Sequence, residues 1–396
     1  MPANPSANLR LLILILASTL PAACITAGDE SEDPLRALHE TRLPALAGWT
    51  ARAVMPHGAA PLTRVEALEM FAEETAPALV ALDRRGRCWI LTPVEGGWSA
   101  WQTVHDRRGL TAIAQGEVDA RMDRSETFVG GAAGNLYLVG GHARGTVDAR
   151  LVAQFPGVEI HALLSGDLDP FSKGDELLVF THPKGTYRVR ADGPDGTFTS
   201  DQIQGLDVGV RDALLLPFEV GKLPTFASAS DSGRIELSSL TPEGPQRAIL
   251  FDGASAATRL ALAPERSGRG PTLYSSLDDG RILRHERRAS GNWTTETLHS
   301  GPAGPLGLAA GQFDPDPAVE TLAVFTADGS VTMLSKRAER WRAQILFEDL
   351  ERGTWLRAAE LDPRNSTDEI LACGDAGRVI VLARTAQAPQ PPHPAR

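Results

Sequence analysis

The sequence predicts an all-β fold, a seven-bladed β-propeller with four-stranded blades. Seven glycines recur 47 to 51 residues apart along the 396-residue chain: Gly86, Gly134, Gly185, Gly233, Gly280, Gly329 and Gly377. A short β-prone run follows each glycine, as in GRCWIL, GNLYLV and GRVIVL. Self-similarity at this period indicates a repeat architecture, and about 40–50 residues is the size of one propeller blade.

Alignment of the repeats on their glycines predicts four strands in a fixed order. The first strand ends near an acidic loop, as in HALLSGDLD (161–169), and a short apolar strand follows, as in ELLVF (176–180). The glycine then supplies the positive φ that a tight hairpin needs, and the third strand begins directly after it. The fourth strand often opens with an aromatic residue, as in GWSAWQTVH (97–105) and RWRAQILF (340–347).

The last repeat lacks a fourth strand, and the N-terminal segment supplies a matching one. Residues 48–57, GWTARAVMPH, resemble a fourth strand but follow no first, second or third strand. We therefore predict that they complete the last blade and remove two exposed sheet edges. Deletion of residues 46–60 should then destabilise the whole ring. The propeller would span 46–384, with repeat units near 61–105, 106–155, 156–205, 206–252, 253–300, 301–349 and 350–384.

The two ends of the chain read as segments outside the propeller. Residues 1–23 contain Arg10 and an apolar run, LLILILASTL, that is typical of an export signal and too short for a membrane span. Small residues before Cys24 resemble a bacterial lipobox, which implies lipidation of Cys24 and an anchor in the cell envelope; release as a secreted or periplasmic protein is the alternative. Residues 24–45 are predicted to be an acidic tether or linker, and 385–396 a disordered, proline-rich tail.

Composition narrows the classes of partner. The formal net charge is −11 and the sequence contains no basic run. Nucleic-acid binding needs clustered Lys and Arg, so no nucleic acid is expected as a partner. The same acidity disfavours adsorption to an anionic membrane, which leaves a lipid anchor as the expected membrane contact. Cys88 and Cys373 lie in the first and last blades and are interpreted as buried hydrophobic residues in preference to a disulfide.

The loop between the first and second strands is the first candidate site. In the third repeat it begins Asp167-Leu-Asp169-Pro, and in the sixth it reads Gln312-Phe-Asp314-Pro-Asp316-Pro. With the apolar strand, glycine and Trp-led strand that follow, these loops resemble the FG-GAP/VCBS repeat family of integrin-α-like propellers. That resemblance implies calcium as a cofactor and the following ligands: Asp167, Asp169, Asp175, Asp314, Asp316 and Glu320. Plain turns, in which Asp accepts backbone N–H bonds, are the alternative.

The mouth of the central channel is the second candidate site. Alignment of HALL, DALL and RLAL places one residue per repeat at the start of the first strand: Glu66, Thr111, His161, Asp212, Arg259, Leu306 and Thr354. Converging polar groups in a concavity form the default site for a ligand, and Glu66, His161, Asp212 and Arg259 are the predicted binding residues. A solvated rim of ion-paired charges is the alternative.

These observations favour a binding function over catalysis. The histidines show no metal spacing, and the chain has no nucleophile elbow, Walker loop or dinucleotide fingerprint, so no catalytic residue is predicted. We expect a secreted or surface-anchored scaffold that uses one propeller face to hold a protein or polysaccharide of the cell envelope. The alternatives are a polysaccharide lyase or hydrolase and an envelope-assembly lipoprotein. The enzyme would act at the channel mouth through Glu66, His161, Asp212 and Arg259, with His161 and Asp212 as an acid–base pair.

Overall fold

The structure is a computed structural model. It describes residues 38 and 40–385, apart from 55–58, 72–75, 96, 120, 122–124, 144–145, 170–173, 192–196, 220, 266–269, 302–304, 339, 349–351 and the side chains of 141–143, 146 and 305–306. The predicted export signal, Cys24, most of the tether and the tail from 386 onwards lie outside the described residues. Within them, no helix has the length and apolar character needed to cross a membrane.

Twenty-nine strands build the described part of the chain. The first two precede the repeats: β1 (Thr41–Leu43) and β2 (Trp49–Val54). Blades one to three contain β3 (Leu62–Leu68), β4 (Ala78–Asp83), β5 (Arg87–Val94), β6 (Gly97–His105), β7 (Leu110–Gly116), β8 (Glu126–Gly131), β9 (Asn135–Ala143), β10 (Thr146–Gln154), β11 (Glu159–Gly166), β12 (Glu176–His182), β13 (Gly185–Arg190) and β14 (Thr199–Ile203).

Blades four to seven continue the same pattern. Their strands are β15 (Val210–Leu215), β16 (Phe226–Ser230), β17 (Arg234–Ser239), β18 (Gln246–Asp252), β19 (Ala257–Leu262), β20 (Thr272–Leu277), β21 (Arg281–Arg287), β22 (Trp293–Ser300), β23 (Pro305–Ala310), β24 (Glu320–Thr326), β25 (Ser330–Arg337), β26 (Arg340–Glu348), β27 (Gly353–Ala359), β28 (Glu369–Gly374) and β29 (Val379–Arg384). Each of the first six blades is a four-stranded antiparallel sheet whose strands pair in chain order. The first strands contact one another in sequence, from β3 to β27 and back to β3. The predicted seven-bladed propeller is therefore confirmed.

The repeat glycines form the turn between the second and third strands of each blade. All seven have positive φ, between +70° and +98°. In blade one, the Gly86 N–H donates to the carbonyl of Asp83 at 3.0 Å, and the Gly86 carbonyl accepts from the Asp106 N–H at 2.7 Å. The glycine thus joins the turn to the end of the fourth strand, which explains why it recurs once per blade.

The ring closes through the N-terminal strand, as predicted. β2 pairs antiparallel with β29, with Trp49 opposite Arg384 and Val54 opposite Val379. The structure adds a strand that the sequence did not suggest: β1, within the segment predicted as linker, pairs with β2 and makes the last sheet five-stranded. Leu38 then exchanges two backbone hydrogen bonds with Trp98 of blade one, at 2.6 and 3.1 Å. The N-terminal segment therefore connects the last blade to the first.

The hydrophobic core is divided among the contacts between neighbouring blades. Seven clusters of buried side chains occur among the described residues, and each joins two adjacent blades. Trp49 lies in the cluster between blades six and seven, and Trp98 in that between blades seven and one. Each blade therefore buries its faces against its neighbours, as repeat architectures require.

The two described cysteines are free thiols. Cys88 lies between blades one and two and Cys373 between blades seven and one, and both are fully buried. Burial raises the pKa of each thiol to about 12. They are therefore packed as small hydrophobic residues, as the sequence indicated.

Candidate functional site

A β-bulge opens the first strand of every blade and defines the channel mouth. The pairing between first and second strands skips one residue in each of the seven sheets, after the first paired residue in six of them and after the second, Ile160, in blade three. The skipped residues are Thr63, Thr111, His161, Arg211, Thr258, Leu306 and Thr354. A bulge leaves its extra residue out of the ladder and redirects it, so these positions form one equivalent ring.

The bulge corrects the alignment of three predicted mouth residues. Glu66, Asp212 and Arg259 were aligned with Thr111 and His161, whereas the register places Thr63, Arg211 and Thr258 at those positions. A bulge breaks the alternation of apolar and polar residues, so matching apolar runs shifts the alignment. The signal in the sequence was the recurring threonine, in Leu62-Thr63-Arg64 and Ala257-Thr258-Arg259.

Three of the bulge threonines each donate a hydrogen bond to the neighbouring blade. The Thr63 hydroxyl donates to the carbonyl of Leu110 at 2.6 Å, and Thr111 donates to Ile160 at 2.6 Å. Across the ring closure, Thr354 donates to Leu62 at 2.7 Å. In every case the acceptor is the residue directly before the bulge of the neighbouring blade. These bonds fix the spacing of the first strands around the mouth.

Below the bulge, three arginines surround one tryptophan. The guanidinium carbons of Arg64, Arg259 and Arg357 lie 4.0, 4.6 and 4.9 Å from the ring centre of Trp355. Cations favour the negative face of an aromatic ring, most strongly where water is excluded. Trp355 is 2% exposed, and its Nε1–H has no hydrogen-bond acceptor among the described residues.

Two carboxylates hold two of these arginines. Glu66 accepts from the Nε of Arg64 at 3.0 Å and from the Nε of Arg357 at 3.1 Å. An oxygen of Asp212 lies 4.0 Å from Arg64 and 3.8 Å from Arg357, and the carboxylate also accepts from the Leu260 N–H at 2.9 Å. Glu66 and Asp212 therefore sit inside an ion-pair cluster of three guanidinium groups and two carboxylates.

Burial and charge act in opposite directions on the arginines. Desolvation lowers the pKa of Arg259 to about 10 and also lowers that of Arg64. Desolvation opposes the charge of Arg357 too, but Glu66 and Asp212 outweigh it and raise its pKa. All three groups remain protonated at neutral pH, so the cluster holds one positive charge in excess.

The cluster forms one wall of a cavity of about 410 Å³ at the channel mouth. Its lining residues are Thr63, Arg64, Arg84, Thr111, His161, Arg211, Asp231, Thr258, Arg259, Asp278, Arg352, Thr354 and Trp355. The lining therefore contains five arginines against two aspartates. Of the four predicted binding residues, His161 and Arg259 line the cavity, whereas Asp212 is buried and Glu66 is held deeper by Arg64 and Arg357.

His161 and Asp212 do not form the pair that channel chemistry would need. The Nε2 of His161 lies 3.5 Å from Glu159, and its ring stacks on His182 with the ring centres 5.6 Å apart. Asp212 instead accepts backbone N–H bonds from Leu260 and Ala213. Each side chain thus has its own set of partners within the described structure.

The acidic loops lie at the other end of the first strands from the cavity. In blade six, Asp314 lies 2.7 Å from Arg337 and 3.5 Å from Arg384, and Asp316 accepts from the Ala318 N–H at 3.0 Å. Glu320 is 5% exposed and forms a buried ion pair with Arg284 of blade five at 2.8 Å, and Tyr274 donates to it as well. Arginines thus neutralise two of the three carboxylates implied as calcium ligands here, and these side chains as placed do not fit a calcium ion.

In blade three, the predicted calcium ligands make different contacts from those in blade six. Asp169 lies 3.5 Å from Arg188, Asp167 is exposed, and residues 170–173 of this loop lie outside the described residues. The Asp175 carboxylate accepts from the Glu117 N–H at 2.8 Å, and the Asp175 N–H donates to the Glu117 carbonyl at 2.9 Å. Asp368 makes the same reciprocal contact with Gln312 of the preceding blade, at 2.6 and 2.9 Å. The last aspartate of the loop is therefore an inter-blade contact.

Metal ligation is not visible elsewhere in the described structure. No group of three or more His, Cys, Asp or Glu side chains is placed to hold a metal ion among the residues described. Calcium binding through Asp167, Asp169 and Asp175 stays a prediction.

Comparison with known proteins identifies the fold. No protein-family model matches the chain, and no curated protein matches it. Among solved structures, BBS1N in complex with ARL6DN, soaked with lead, is 14% identical with a TM-score of 0.56, over 89% of this chain and 98% of that chain. The same complex soaked with mercury is 12% identical with a TM-score of 0.57, over 83% and 94%. At these identities the similarity shows the propeller fold alone.

Proposed function

We propose that this propeller is a protein-binding scaffold whose docking surface is blade four. Five large hydrophobic side chains are exposed among the described residues, and two of them belong to blade four: Phe218, in the loop after β15, at 69%, and Ile249, on β18, at 54%. Ile249 lies on β18, the outer strand of its sheet, where backbone groups are open to a partner. Exposed aromatic residues are typical anchors of protein interfaces. The similar propeller of BBS1N, which is solved with ARL6DN, supports this reading by analogy of fold.

Site-specific crosslinking tests the docking surface. A photo-crosslinking amino acid is placed at Phe218 or Ile249, and at Ile345 of blade six as a control of similar exposure, 47%. We expect one protein to be captured at the two blade-four positions and not at 345. Phe218→Ala should weaken its binding at least tenfold, as truncation of an interface anchor does. Capture that is equal at all three positions would contradict the proposal.

We further propose that the chain is exported and anchored to the cell envelope through Cys24. The apolar run before Cys24 and its resemblance to a lipobox support this proposal. Metabolic labelling with a fatty-acid analogue should mark the wild-type protein and not the Cys24→Ala variant, which should leave the membrane fraction. Ser31→Ala, in the same segment, serves as the control and should keep both the label and the membrane fraction.

Calcium is proposed for the blade-three loop alone. Asp167 is exposed and Asp175 accepts a backbone N–H from Glu117, whereas Asp314 and Glu320 lie 2.7 and 2.8 Å from arginines. Carboxylate and carbonyl oxygens are the ligands that calcium prefers. The melting temperature should rise by several degrees with calcium relative to chelator, and Asp169→Ala should abolish the rise. An unchanged melting temperature in the wild type would make the loop a plain turn.

Two earlier alternatives receive no structural support from the described contacts. A polysaccharide lyase or hydrolase relied on His161 beside Asp212, which have separate partners. An envelope-assembly lipoprotein relied on analogy of fold, which is a weak basis for function. A polysaccharide stays open as a ligand of the scaffold, and a glycan screen with the purified propeller would detect it.

A further inference from the structure

We propose that blade one binds a short acidic segment of another protein on the face where the channel opens. The binding surface consists of two loops that each carry a pair of arginines: Arg84 and Arg85 between β4 and β5, and Arg107 and Arg108 between β6 and β7. We call them the arginine loops. This surface is separate from the docking surface at blade four and does not depend on it.

The two arginine loops lie side by side. The Gly86 carbonyl, directly after Arg85, accepts from the Asp106 N–H at 2.7 Å. A Cβ on Gly109 would lie 3.0 Å from the carbonyl oxygen of Arg84, so the end of the second loop packs against the start of the first. Arg84 also lines the cavity at the channel mouth. Residues more than twenty positions apart in the chain thus form one surface beside the mouth.

The four arginine side chains of these loops are exposed, and three of them have no carboxylate partner. The ion pairs of the described residues include none from Arg85, Arg107 or Arg108, whereas Arg84 lies 3.0 Å from an oxygen of Asp375. A guanidinium group is always charged in proteins and matches the geometry of a carboxylate with two parallel N–H donors. These side chains can therefore bind carboxylates of a partner without breaking an ion pair of this chain.

The aspartates that begin the two loops point into the blade. Asp83 is 0% exposed and accepts from the Nε of Arg87 at 2.7 Å. Asp106 is 6% exposed and accepts from Asn135 at 2.8 Å and from Tyr137 at 3.0 Å. A partner therefore meets the guanidinium groups of the loops and not these two carboxylates.

The turn of blade one differs in charge from the equivalent turns of other blades. The two residues before the repeat glycine are Arg84-Arg85 in blade one, Asp231-Ser232 in blade four, Asp278-Asp279 in blade five, Ala327-Asp328 in blade six and Asp375-Ala376 in blade seven. The paired arginines are thus a property of blade one and not of the repeat.

Charge and composition favour a short acidic protein segment over a longer polyanion. The chain has a formal net charge of −11, which repels a polyanion that extends beyond the arginine loops by more than a Debye length, about 8–10 Å. A short segment with a few carboxylates can remain on the loops. The loops also contain no aromatic residue on which a nucleic-acid base could stack.

Fluorescence anisotropy of a labelled octaglutamate peptide tests the proposal at low ionic strength, with a neutral glycine-serine peptide of the same length as the control probe. We expect saturable binding of octaglutamate alone, and added salt should weaken it. The double variant Arg85→Glu with Arg108→Glu should weaken binding at least tenfold. Arg340→Glu with Arg342→Glu makes the same change in net charge on the exposed outer strand β26 and should leave the affinity unchanged.

The milder pair Arg85→Gln with Arg108→Gln keeps the test decisive if the charge-reversed variant fails to fold, and it should weaken binding as well. No saturable binding of octaglutamate, or equal weakening in the β26 variant, would overturn the proposal. Binding of heparin or of anionic vesicles without binding of octaglutamate would also overturn it and favour a polysaccharide or a membrane. Phe218→Ala should leave the affinity for octaglutamate unchanged, which separates this test from that of the blade-four surface.

Discussion

At the residue scale, glycine is required at the repeat turn for two separable reasons. Gly86 has a φ of +82°, and a Cβ placed on it would lie 1.3 Å from the carbonyl oxygen of Asp106. Gly48 has nearly the same φ, +85°, but a Cβ there would meet no atom within 4 Å. The two positions therefore share the backbone strain and differ in the steric clash.

Gly86→Ala should destabilise the protein far more than Gly48→Ala. The left-handed conformation costs an alanine about 1–2 kcal/mol at either position. At position 86 the clash with backbone must also be relieved by moving the end of β6, which we expect to bring the total to about 4 kcal/mol or more. Guanidinium denaturation of both variants measures the difference, and equal midpoints would show that the conformation alone requires the glycine.

His285 makes the stability of the ring depend on pH. Its ring is fully buried, with Nε2 2.9 Å from the Ser275 hydroxyl and Nδ1 2.8 Å from that of Thr295. Desolvation lowers its pKa from 6.5 to about 4. The unfolded chain thus binds a proton between these values that the folded chain does not, so stability is complete above pH 6.5 and falls as the pH drops towards 4.

The wild type should therefore lose roughly 3 kcal/mol through His285 between pH 6.5 and 4. The variant His285→Gln cannot be protonated at this position. Between pH 6.5 and 4, its free energy of unfolding should therefore fall by roughly 3 kcal/mol less than that of the wild type. Denaturant titrations at several pH values compare the two slopes. Parallel slopes would mean that folding does not lower the pKa of His285.

Some residues of the site were predictable from sequence and others were not. The repeat glycines were identifiable by their regular spacing, and two residues predicted to bind a ligand, His161 and Arg259, line the cavity. Arg64 and Arg357 were not singled out, because a single arginine within an apolar strand resembles any polar residue of an alternating pattern. Their role depends on Trp355 of the last blade, which meets Arg64 only when the ring closes.

At the scale of secondary structure, closure depends on a strand that no short hairpin joins to β29. β2 pairs with β29 through hydrogen bonds between segments at opposite ends of the chain, with Ala53 opposite Ile380. The other outer strands, such as β26, are joined to their partner by a short hairpin. A defect in β2 should therefore open the ring, whereas a defect in β26 should only loosen one edge.

Ala53→Pro tests this difference against Ala343→Pro. Each proline removes one N–H donor, from a strand between β1 and β29 in the first variant and from the edge strand β26 in the second, and a lost hydrogen bond costs about 1 kcal/mol. In β2 we expect the additional loss of contact between blades seven and one, seen as a lower melting temperature and greater protease sensitivity. If both variants melt at the same temperature, the N-terminal strand is not needed for closure.

The sequence could place strands more reliably than it could place their ends. Apolar runs and turn residues located the four strands of each blade and the closing strand β2. β1 was missed because three residues of Thr-Arg-Leu contain no periodic pattern. The seven bulges were missed because each inserts one residue that does not follow the alternation of the two strand faces, as at Thr63.

At the scale of the whole molecule, the threonine bonds add stiffness to a ring that hydrophobic contacts already hold. Thr63, Thr111 and Thr354 each connect different pairs of blades, and no two share an acceptor. Two of the acceptors, Leu62 and Leu110, directly precede Thr63 and Thr111, so neighbouring sites are close enough to couple and the increments are measured in combination.

The triple variant with valine at these positions should lose about 3 kcal/mol, since each buried hydrogen bond contributes about 1 kcal/mol. Thr297→Val, on the exposed outer strand β22, is the control and should change stability by less than about 0.5 kcal/mol. Equilibrium unfolding of the single, double and triple variants gives the increments. A triple variant as stable as the wild type would show that the hydrophobic clusters alone set the blade spacing.

Pairing across the chain ends also has a consequence for synthesis. Thr50 and the residue it bonds to, Ala383, are separated by 333 positions. At roughly 5–20 residues per second, a ribosome needs on the order of tens of seconds to produce the partner of β2 after β2 itself has emerged. During that interval β2 can pair with β1 but not with β29, and the growing chain is an open arc of blades. A chaperone that shields an apolar strand would act on β2, and release would follow the synthesis of β29.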